Sequence, residues 1–191
     1  MRIGVTGIYA SGKGTVCSFF EELGAVVIDT DIVARDIVNP GTRGLKEIIN
    51  TFGTDYIDGN GCLMRREFAN YIFADPKLVE QLNAITHPLI LEESLKQSDG
   101  PDIFMMNTPL LFESGFHTYM YKNIVVTADE NSVIERGMKR DNITADEIKA
   151  RLNFQIPLKE KIKRADYIID NTKSLENTKR QVLELSNTLN T

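Results

Sequence analysis

Gly7-Ile8-Tyr9-Ala10-Ser11-Gly12-Lys13-Gly14-Thr15 is the stretch that decides the fold of this chain. It follows a β-prone run, Ile3 to Thr6, and precedes apolar residues at helical spacing, namely Val16, Phe19, Phe20 and Leu23. A glycine-rich turn between a buried strand and a helix directs backbone N–H groups and the positive helix end toward a polyphosphate. The stretch therefore predicts a phosphate-binding loop, whose expected nucleotide contacts are Ala10, Ser11, Gly12, Lys13, Gly14 and Thr15.

The loop has an alternative interpretation and one departure from the usual pattern. The same residues would also suit a glycine-rich turn that only joins a strand to a helix, although the strand-and-helix context favours phosphate binding. The Ser or Thr that usually follows the lysine is here Gly14, so Thr15 is the nearest hydroxyl for Mg²⁺, directly or through water. The Gly-Lys-Gly-Thr sequence resembles adenylate kinases more than GTPases.

Composition limits the class of protein and its partners. The chain has 191 residues, 42% hydrophobic and 26% charged, with a net charge of −5, which is typical of one globular folding unit. The negative charge argues against nucleic-acid binding, and no stretch is apolar enough for a membrane span, so we expect neither partner. The beginning of the chain lacks a basic-then-apolar signal, and the cysteines, Cys17 and Cys62, have no metal-ligand spacing. We expect reduced thiols, a cytoplasmic protein and a monomer, with an oligomer left open.

A pair of carboxylates follows the second predicted strand. The run Ala25 to Ile28 stops at Asp29-Thr30-Asp31, at the strand end where open α/β sheets bind ligands. Asp29 is either a substrate-side residue or a cap of the helix predicted from Ile32 to Val38. Asp31 is the preferred catalytic carboxylate.

A helical pattern covers residues 63–98, with Asp75 as a cap before Pro76 and a predicted break at His87-Pro88. This segment reads as an all-helical insertion between strands. Arg65, Arg66 and His87 are candidates for a phosphate of the second substrate. The alternatives are a solvated surface charge for Arg66 and a helix-start packing residue for His87.

The third predicted strand, Ile103 to Met106, runs into Asn107-Thr108-Pro109-Leu110-Leu111-Phe112-Glu113. It lacks the aspartate that ends a typical Walker B strand, so the Mg²⁺-side carboxylate must come from elsewhere. Asp31 is the first candidate and Glu113 the second.

The last third of the chain predicts two more strands and a basic excursion between them. Strand Ile124 to Thr127 precedes a helix on which Arg136 and Arg140 are four residues apart and share a face. Thr144 to Glu147 has the form of a capping box that opens the next helix. A final strand, Tyr167 to Ile169, and a packing helix complete the pattern. The basic residues that flank the excursion suggest a nucleotide lid: Arg136, Arg140, Arg151 and Lys161.

The motifs of this chain occur in the same order as those of bacterial dephospho-coenzyme A kinases. The chain resembles that family along nearly its whole length. The matching landmarks are Thr6-Gly7, Ser11-Gly12-Lys13, Val27 to Asp31, Pro40-Gly41, Leu63, Arg65, Ile72-Phe73, His87-Pro88, Pro109 to Glu113, Arg136, Arg140-Asp141, Arg151, Gln155 and Ile169-Asp170-Asn171. The loop alone is common to many unrelated enzymes, whereas the series is specific. Gly14 departs from the family's usual Ser, and Tyr9-Ala10 from its more usual Ile-Gly.

The resemblance implies ATP-dependent phosphorylation of the ribose 3′-hydroxyl of dephospho-coenzyme A, with Mg²⁺ as the metal. By matching positions, Lys13 and the loop amides would bind the β and γ phosphates, with Thr15 and Asp31 on the metal side. Asp31 would accept the proton of the acceptor hydroxyl. Arg140, with Arg136 or Arg151 as second choice, would stabilise the transferring group. The remaining implied contacts are Asn171 with the nucleotide and, with the acceptor, Asp29, Arg65, His87, Pro109, Leu110 and Glu113.

The fold implied is an α/β P-loop NTPase of the nucleoside-monophosphate-kinase type, with a five-stranded parallel sheet. Its core would comprise residues 1–59, 99–137 and 161–191, its coenzyme-binding insertion residues 60–98 and its lid residues 138–160. Two other functions stay open on the residues alone. One is an adenylate-kinase-like nucleoside monophosphate kinase. The other is a GTPase-type switch, although the chain contains no Asn-Lys-x-Asp guanine signature.

Overall fold

The computed structural model describes residues 1–189 and shows a parallel sheet flanked by helices. The strands are β1 (Arg2–Gly7), β2 (Val26–Asp29), β3 (Phe104–Asn107), β4 (Lys122–Thr127) and β5 (Tyr167–Asp170). The helices are α1 (Lys13–Glu22), α2 (Thr30–Asp36), α3 (Arg43–Phe52), α4 (Arg65–Ile72), α5 (Pro76–Leu95), α6 (Glu130–Asp141), α7 (Ala145–Asn153), α8 (Leu158–Lys163) and α9 (Leu175–Leu189). A short 3₁₀ helix covers Phe116–Tyr119.

The sheet confirms the predicted five parallel strands, in the order β2-β3-β1-β4-β5. β1 is central because it pairs with β3 on one side, Val5 opposite Asn107, and with β4 on the other, Gly7 opposite Val126. Parallel strands are covered by helices on both faces and read as nearly continuous apolar runs. The fully buried residues of β1 and β4 fit that rule, and they pack with Phe20 of α1 and Val182 of α9.

The chain forms two compact units. One comprises Met1–Asp29 and the residues from Ser98 onward, and it contains all five strands. The other comprises Thr30–Gln97 and contains α2 to α5. In this helical unit α5 packs against α2, α3 and α4. Its core residues include Leu45, Ile48, Phe68 and Ile72.

Helix α5 corrects the predicted break at His87-Pro88, because it continues through both residues to Leu95. A proline inside a helix removes one backbone hydrogen bond and normally kinks or ends the helix. Here the apolar residues on either side of Pro88, including the buried Ile90, pack against the other helices of the unit. That packing stabilises the helix across the missing hydrogen bond. His87 is therefore a half-buried residue within a helix and does not begin one.

Two of the predicted helix starts are confirmed at their caps. The Asp75 side chain accepts a hydrogen bond from the Lys77 amide, with Pro76 as the first helical residue. Thr144 and Glu147 form the predicted capping box of α7. Helix α2 begins at Thr30, two residues earlier than predicted, so Asp31 lies in its first turn.

Candidate active site

The phosphate loop connects β1 to α1 through residues 8–12, and its path leaves little room for side chains. A Cβ atom on Gly7 would lie 2.4 Å from the carbonyl oxygen of Val126. Gly12 has a φ of 91° and Ala10 a φ of 54°, so both adopt the left-handed conformation that glycine tolerates best. The Ser11 amide closes the turn on the Ile8 carbonyl oxygen at 3.2 Å.

Helix α1 begins at Lys13 without a side-chain cap, so no side chain competes for the N–H groups of its first turn. Such N–H groups, together with the positive end of the helix dipole, form a site for anionic oxygens. The Lys13 ammonium lies over the loop, with Nζ 3.1 Å from the Ile8 carbonyl oxygen and 3.3 Å from that of Gly7. A lysine held in this position adds a cation at the mouth of the loop.

Asn171, which follows β5, fixes the other side of the loop. Its Nδ2 donates to the carbonyl oxygen of Ser11 at 2.9 Å, and its Oδ1 accepts from the Thr178 hydroxyl at 2.9 Å. Both side chains are buried. Arg136 of α6 donates to the Asn171 carbonyl oxygen at 3.3 Å. Asn171 thus supports the loop backbone, a positioning contact that its motif position did not predict.

Helices α6 and α7 place a charged cluster beside Tyr9 of the loop. Asp141 accepts from Arg140 Nε at 2.8 Å and from Arg151 at 2.9 Å, and the Tyr9 hydroxyl also donates to it. Hydrogen bonds from Arg140 and Tyr9 hold the pKa of Asp141 well below its ordinary value. Gln155, one turn after Arg151, accepts from the Tyr9 amide at 2.8 Å. The structure therefore brings the predicted lid arginines to the phosphate loop.

The loop after β3 is held by a buried ion pair. Lys161 is fully buried, and its Nζ lies 2.8 Å from the nearer carboxylate oxygen of Glu113 and 2.7 Å from the Pro109 carbonyl oxygen. Burial lowers the pKa of Lys161, and the Glu113 carboxylate opposes that shift. Glu113 also accepts from the Ile156 amide at 2.8 Å. The interpretation of Lys161 as a lid cation is corrected, because a fully buried ammonium bonded to Glu113 is not exposed to a nucleotide.

Asp29 ends β2, where its carboxylate accepts from Asn107 Nδ2 of β3 at 2.9 Å. This contact joins the carboxyl ends of two neighbouring strands. Leu110, another predicted acceptor-side residue, is 38% exposed although it is a leucine.

In the helical unit, the predicted residues lie on separate elements. Asp31 is exposed in the first turn of α2. Arg65 donates to the Arg35 carbonyl oxygen at 2.8 Å, which fixes the first turn of α4 beside α2. Arg66 is exposed, in line with a solvated charge. Burial lowers the pKa of His87, so burial favours its neutral form.

The residues suit a magnesium ion shared with a nucleotide better than a metal centre made by the protein alone. Within residues 1–189, no group of three or more His, Cys, Asp or Glu side chains could hold a metal ion. Mg²⁺ in kinase sites takes one or two protein oxygens and completes its coordination with phosphates and water. Thr15, exposed in the first turn of α1, offers an oxygen of the type that this cation prefers. The donor set therefore fits.

Sequence reasoning missed two residues of the site. The sequence analysis named Tyr9 only as a departure from the family's usual loop sequence. A hydroxyl group in a phosphate-binding loop was the feature that could have indicated its role. Thr178, which anchors Asn171, had no signal beyond its helical position.

The part of the chain that the structure describes contains no helix both long and apolar enough to cross a membrane.

The chain is similar in sequence to known proteins over most of its length. The family model described as CoaE, dephospho-CoA kinase, matches residues 1–177. The dephospho-CoA kinase of Listeria monocytogenes is 41% identical over 185 residues, covering 94% of this chain and 92% of its own. That of Carboxydothermus hydrogenoformans is 38% identical, covering 96% and 91%.

Solved structures show the same fold. A crystal structure from Thermus thermophilus superposes with a TM-score of 0.84 at 31% identity, covering 99% of this chain and 97% of its own. The dephospho-CoA kinase from Campylobacter jejuni gives a TM-score of 0.71 at 27% identity, covering 98% and 96%. Shikimate kinase from Aquifex aeolicus, at 16% identity and a TM-score of 0.56, shares the P-loop kinase fold. The family match over most of the chain and the relatives at about 40% identity show that this chain belongs to the dephospho-CoA kinase family.

Proposed function

We propose that this chain transfers the γ-phosphoryl group of ATP to the ribose 3′-hydroxyl of dephospho-coenzyme A, which yields coenzyme A and ADP. The observation that carries the proposal is the family match over residues 1–177. The phosphate loop at the start of α1 supplies the chemistry that the reaction needs, since phosphoryl transfer depends on positioning and on stabilising charge.

The nucleotide side of the reaction belongs to the unit that contains the sheet. The loop amides and Lys13 bind the β and γ phosphates, and Arg140 stabilises negative charge on the transferring group, with Arg136 or Arg151 as alternatives. This assignment is supported by the contacts that bring both Arg140 and Arg151 to the loop residue Tyr9. Negative charge that develops in a transition state is stabilised most by cations that are already in place before the reaction. Residues 138–160 act as the lid over this site.

On the acceptor side, Asp31 takes the proton of the 3′-hydroxyl as it attacks. Its exposed position in the first turn of α2 leaves the carboxylate accessible to a substrate. The acceptor is held by Asp29, Pro109, Leu110 and Glu113 and by Arg65 and His87 of the insertion, residues 60–98. Glu113 contributes chiefly through the ion pair with Lys161, which holds the chain after β3 in place.

Thr15 and Asp31 would hold Mg²⁺ on the protein side, because hydroxyl and carboxylate oxygens are ligands that this hard cation accepts. When bound with ATP, the ion neutralises phosphate charge in the transition state. The protein groups keep the nucleotide in place and exclude water. The chain is further proposed to work as a cytoplasmic monomer.

The acceptor distinguishes this proposal from an adenylate-kinase-like enzyme. Dephospho-coenzyme A offers a pantetheine arm and a diphosphate, whose binding energy can align the ribose hydroxyl with ATP. AMP and CMP lack both handles, so they should be phosphorylated hardly at all.

The test is product analysis with ATP and each of dephospho-coenzyme A, AMP, CMP and pantetheine under identical conditions. The proposal is supported if coenzyme A forms from dephospho-coenzyme A and if little ADP is released from ATP when AMP, CMP or pantetheine is the acceptor. A kcat/KM for AMP comparable to that for dephospho-coenzyme A would contradict it and leave a general nucleotide kinase.

The proposed role of Asp31 has its own test. Asp31→Asn keeps the shape of the side chain but cannot accept a proton, so kcat should fall by roughly 10²- to 10⁴-fold. ATP affinity, measured by calorimetry, should change little. A variant that loses only ATP affinity would leave Asp31 with its metal-side role alone and place the base elsewhere.

A further inference from the structure

Tyr9 has a fixed place in the phosphate loop. Its ring packs in the apolar cluster that includes Val133 of α6 and Ile148 of α7. Gly137 makes room for the ring, because a Cβ atom at that position would lie 2.7 Å from the Tyr9 Cε1 atom. The Tyr9 backbone is fixed as well, since its amide donates to Gln155. The ring is thus placed by α6 and α7, and the backbone by the segment that follows α7.

Two guanidinium groups lie against this ring. The central carbon of Arg140 is 4.9 Å from the ring centroid of Tyr9, and that of Arg151 is 5.3 Å away. Both distances fall within the range in which an aromatic ring attracts a cation. A guanidinium group attracted to a ring can still donate N–H hydrogen bonds to a carboxylate or a phosphate.

Asp141 is the acceptor that both arginines use in this structure. It takes two hydrogen bonds from Arg140, at 2.8 and 3.2 Å, one from Arg151 at 2.9 Å, and one from the Tyr9 hydroxyl. The side chains of Arg140 and Arg151 are 60% and 49% exposed, so water can reach them. One carboxylate faces two guanidinium groups, which leaves one excess positive charge beside the loop. Burial and the hydrogen bond to Asp141 raise the pKa of Tyr9, so its hydroxyl keeps its proton.

We propose that Tyr9 is a positioning residue for the lid: its ring holds Arg140 and Arg151 at the mouth of the phosphate loop, while its hydroxyl donates to Asp141, which stands in for the γ-phosphate. When ATP occupies the loop, phosphate oxygens replace Asp141 as the acceptors while the ring keeps both cations in place. The inference rests on the proposed function, because it assumes that the loop binds ATP phosphates.

The test compares Tyr9→Leu, which removes the ring and the hydroxyl, with Tyr9→Phe, which removes only the hydroxyl. Tyr9→Leu should lower kcat about tenfold and raise the KM for ATP less than threefold, because the arginines matter most as γ-phosphoryl charge develops. Tyr9→Phe should stay within threefold of the wild type. Tyr119→Phe, an exposed tyrosine outside the site, is the matched control. Equal losses in Tyr9→Phe and Tyr9→Leu would overturn the role of the ring.

A double-mutant cycle separates positioning from simple support of the loop. If Tyr9 acts through Arg140, Tyr9→Leu should have an at least threefold smaller effect on kcat in the Arg140→Ala background than in the wild type. The same fold-loss in both backgrounds would show that the two residues act independently and would overturn the proposal.

Limited trypsin digestion provides a readout that needs no acceptor. Cleavage after Arg140 and Arg151 should be about fivefold faster in Tyr9→Leu than in the wild type, while cleavage after Arg180 of α9 should not change. Unchanged cleavage at all three sites would contradict the proposal even if the enzyme is inactive with dephospho-coenzyme A. Wild-type inactivity with faster cleavage in Tyr9→Leu would contradict the proposed acceptor alone.

Discussion

The phosphate loop is held on two sides by contacts of opposite character. On one side, Asn171 and Thr178 form neutral hydrogen bonds that are buried, and they end at the Ser11 carbonyl oxygen. On the other side, Tyr9 meets the charged groups of Asp141, Arg140 and Arg151, which are partly exposed. Water can replace the exposed contacts at little cost, whereas burial keeps water from replacing the hydrogen bonds of Asn171 and Thr178. The loop therefore has one side that stays fixed and one that can exchange a carboxylate for a phosphate.

Among changes to the phosphate loop and its two sides, the largest effect is expected from Lys13→Ala, which leaves both sides intact and removes the cation between them. Activity should fall by roughly 10²- to 10³-fold, the range for loss of one group that stabilises transition-state charge. The variant should unfold at the wild-type urea concentration. Lys46→Ala, an exposed lysine of α3, is the control. Near-normal turnover in folded Lys13→Ala would contradict the loop assignment.

Asn171→Ala breaks the buried side. It removes the Asn171 partner of the Ser11 carbonyl oxygen and leaves the Thr178 hydroxyl only its longer contact with the Ser174 carbonyl oxygen, at 3.4 Å. Buried polar groups left unpaired cost about 1–3 kcal/mol. We expect the free energy of unfolding to fall by about 2 kcal/mol, measured by urea denaturation.

Thr178→Val is the matched variant for Asn171→Ala, because it removes only the hydroxyl and keeps the shape of the side chain. It should cost about 1 kcal/mol, in the range for a single hydrogen bond. If both variants proved as stable as the wild type, the buried side would not be what holds the loop.

Asp141→Asn removes the carboxylate charge on the exposed side of the loop, and its effect on stability should depend on pH. The folded pKa of Asp141 is depressed below its ordinary value of 3.8, so the ionised carboxylate contributes stability above that pH. The contribution is lost as the pH falls below about 4 toward the folded pKa. At pH 6, where the groups facing Asp141 are Arg140, Arg151 and the protonated Tyr9, Asp141→Asn should cost about 0.5–1 kcal/mol.

The difference between wild type and Asp141→Asn should shrink in urea titrations at pH 3 and in 1 M NaCl, since salt screens exposed charges. Asp55→Asn, at an exposed position outside the described helices, is the control and should show no such dependence. A pH-independent difference would mean that Asp141 acts through packing and not through charge.

The smallest effect is expected at Ala10, between the two sides. Its φ of 54° lies in the left-handed region, which costs a residue with a Cβ atom about 1–2 kcal/mol. Ala10→Gly removes that cost but adds unfolded-state entropy worth about 0.4–1 kcal/mol. The free energy of unfolding should therefore rise by about 0.5 kcal/mol. The control is Ala150→Gly, at an exposed position of α7, which should lose stability. A loss in both variants would show that the loop is not strained at Ala10.

Much of the nucleotide side could be predicted from the sequence, because local pattern encodes it. The strand before Gly7, the helix after Gly12 and the capping box at Thr144 depend on neighbouring residues, and all three are confirmed. The five strands read as short apolar runs between helical segments for the same reason. Residues four apart on a helix, such as Arg136 and Arg140, share a face whatever the rest of the fold does.

Local pattern was misleading where packing opposed it. Pro88 predicted a helix break, yet the apolar contacts of α5 within the helical unit keep the helix continuous. The pattern of basic residues predicted Lys161 as a cation of the nucleotide lid, yet the structure buries it against Glu113, 48 positions away. In both cases the deciding partner is distant in the chain, and a pattern of neighbours cannot show it.

By itself, then, the sequence determined the phosphate loop, the parallel sheet and the family, because each depends on residue types at short, fixed spacings. Only the tertiary structure decided how the loop is held. Ser11 meets Asn171 across 160 positions and Tyr9 meets Asp141 across 132. Such partners are chosen by the order in which the strands pair and by the helices that follow them, since these bring distant side chains to the same edge of the sheet.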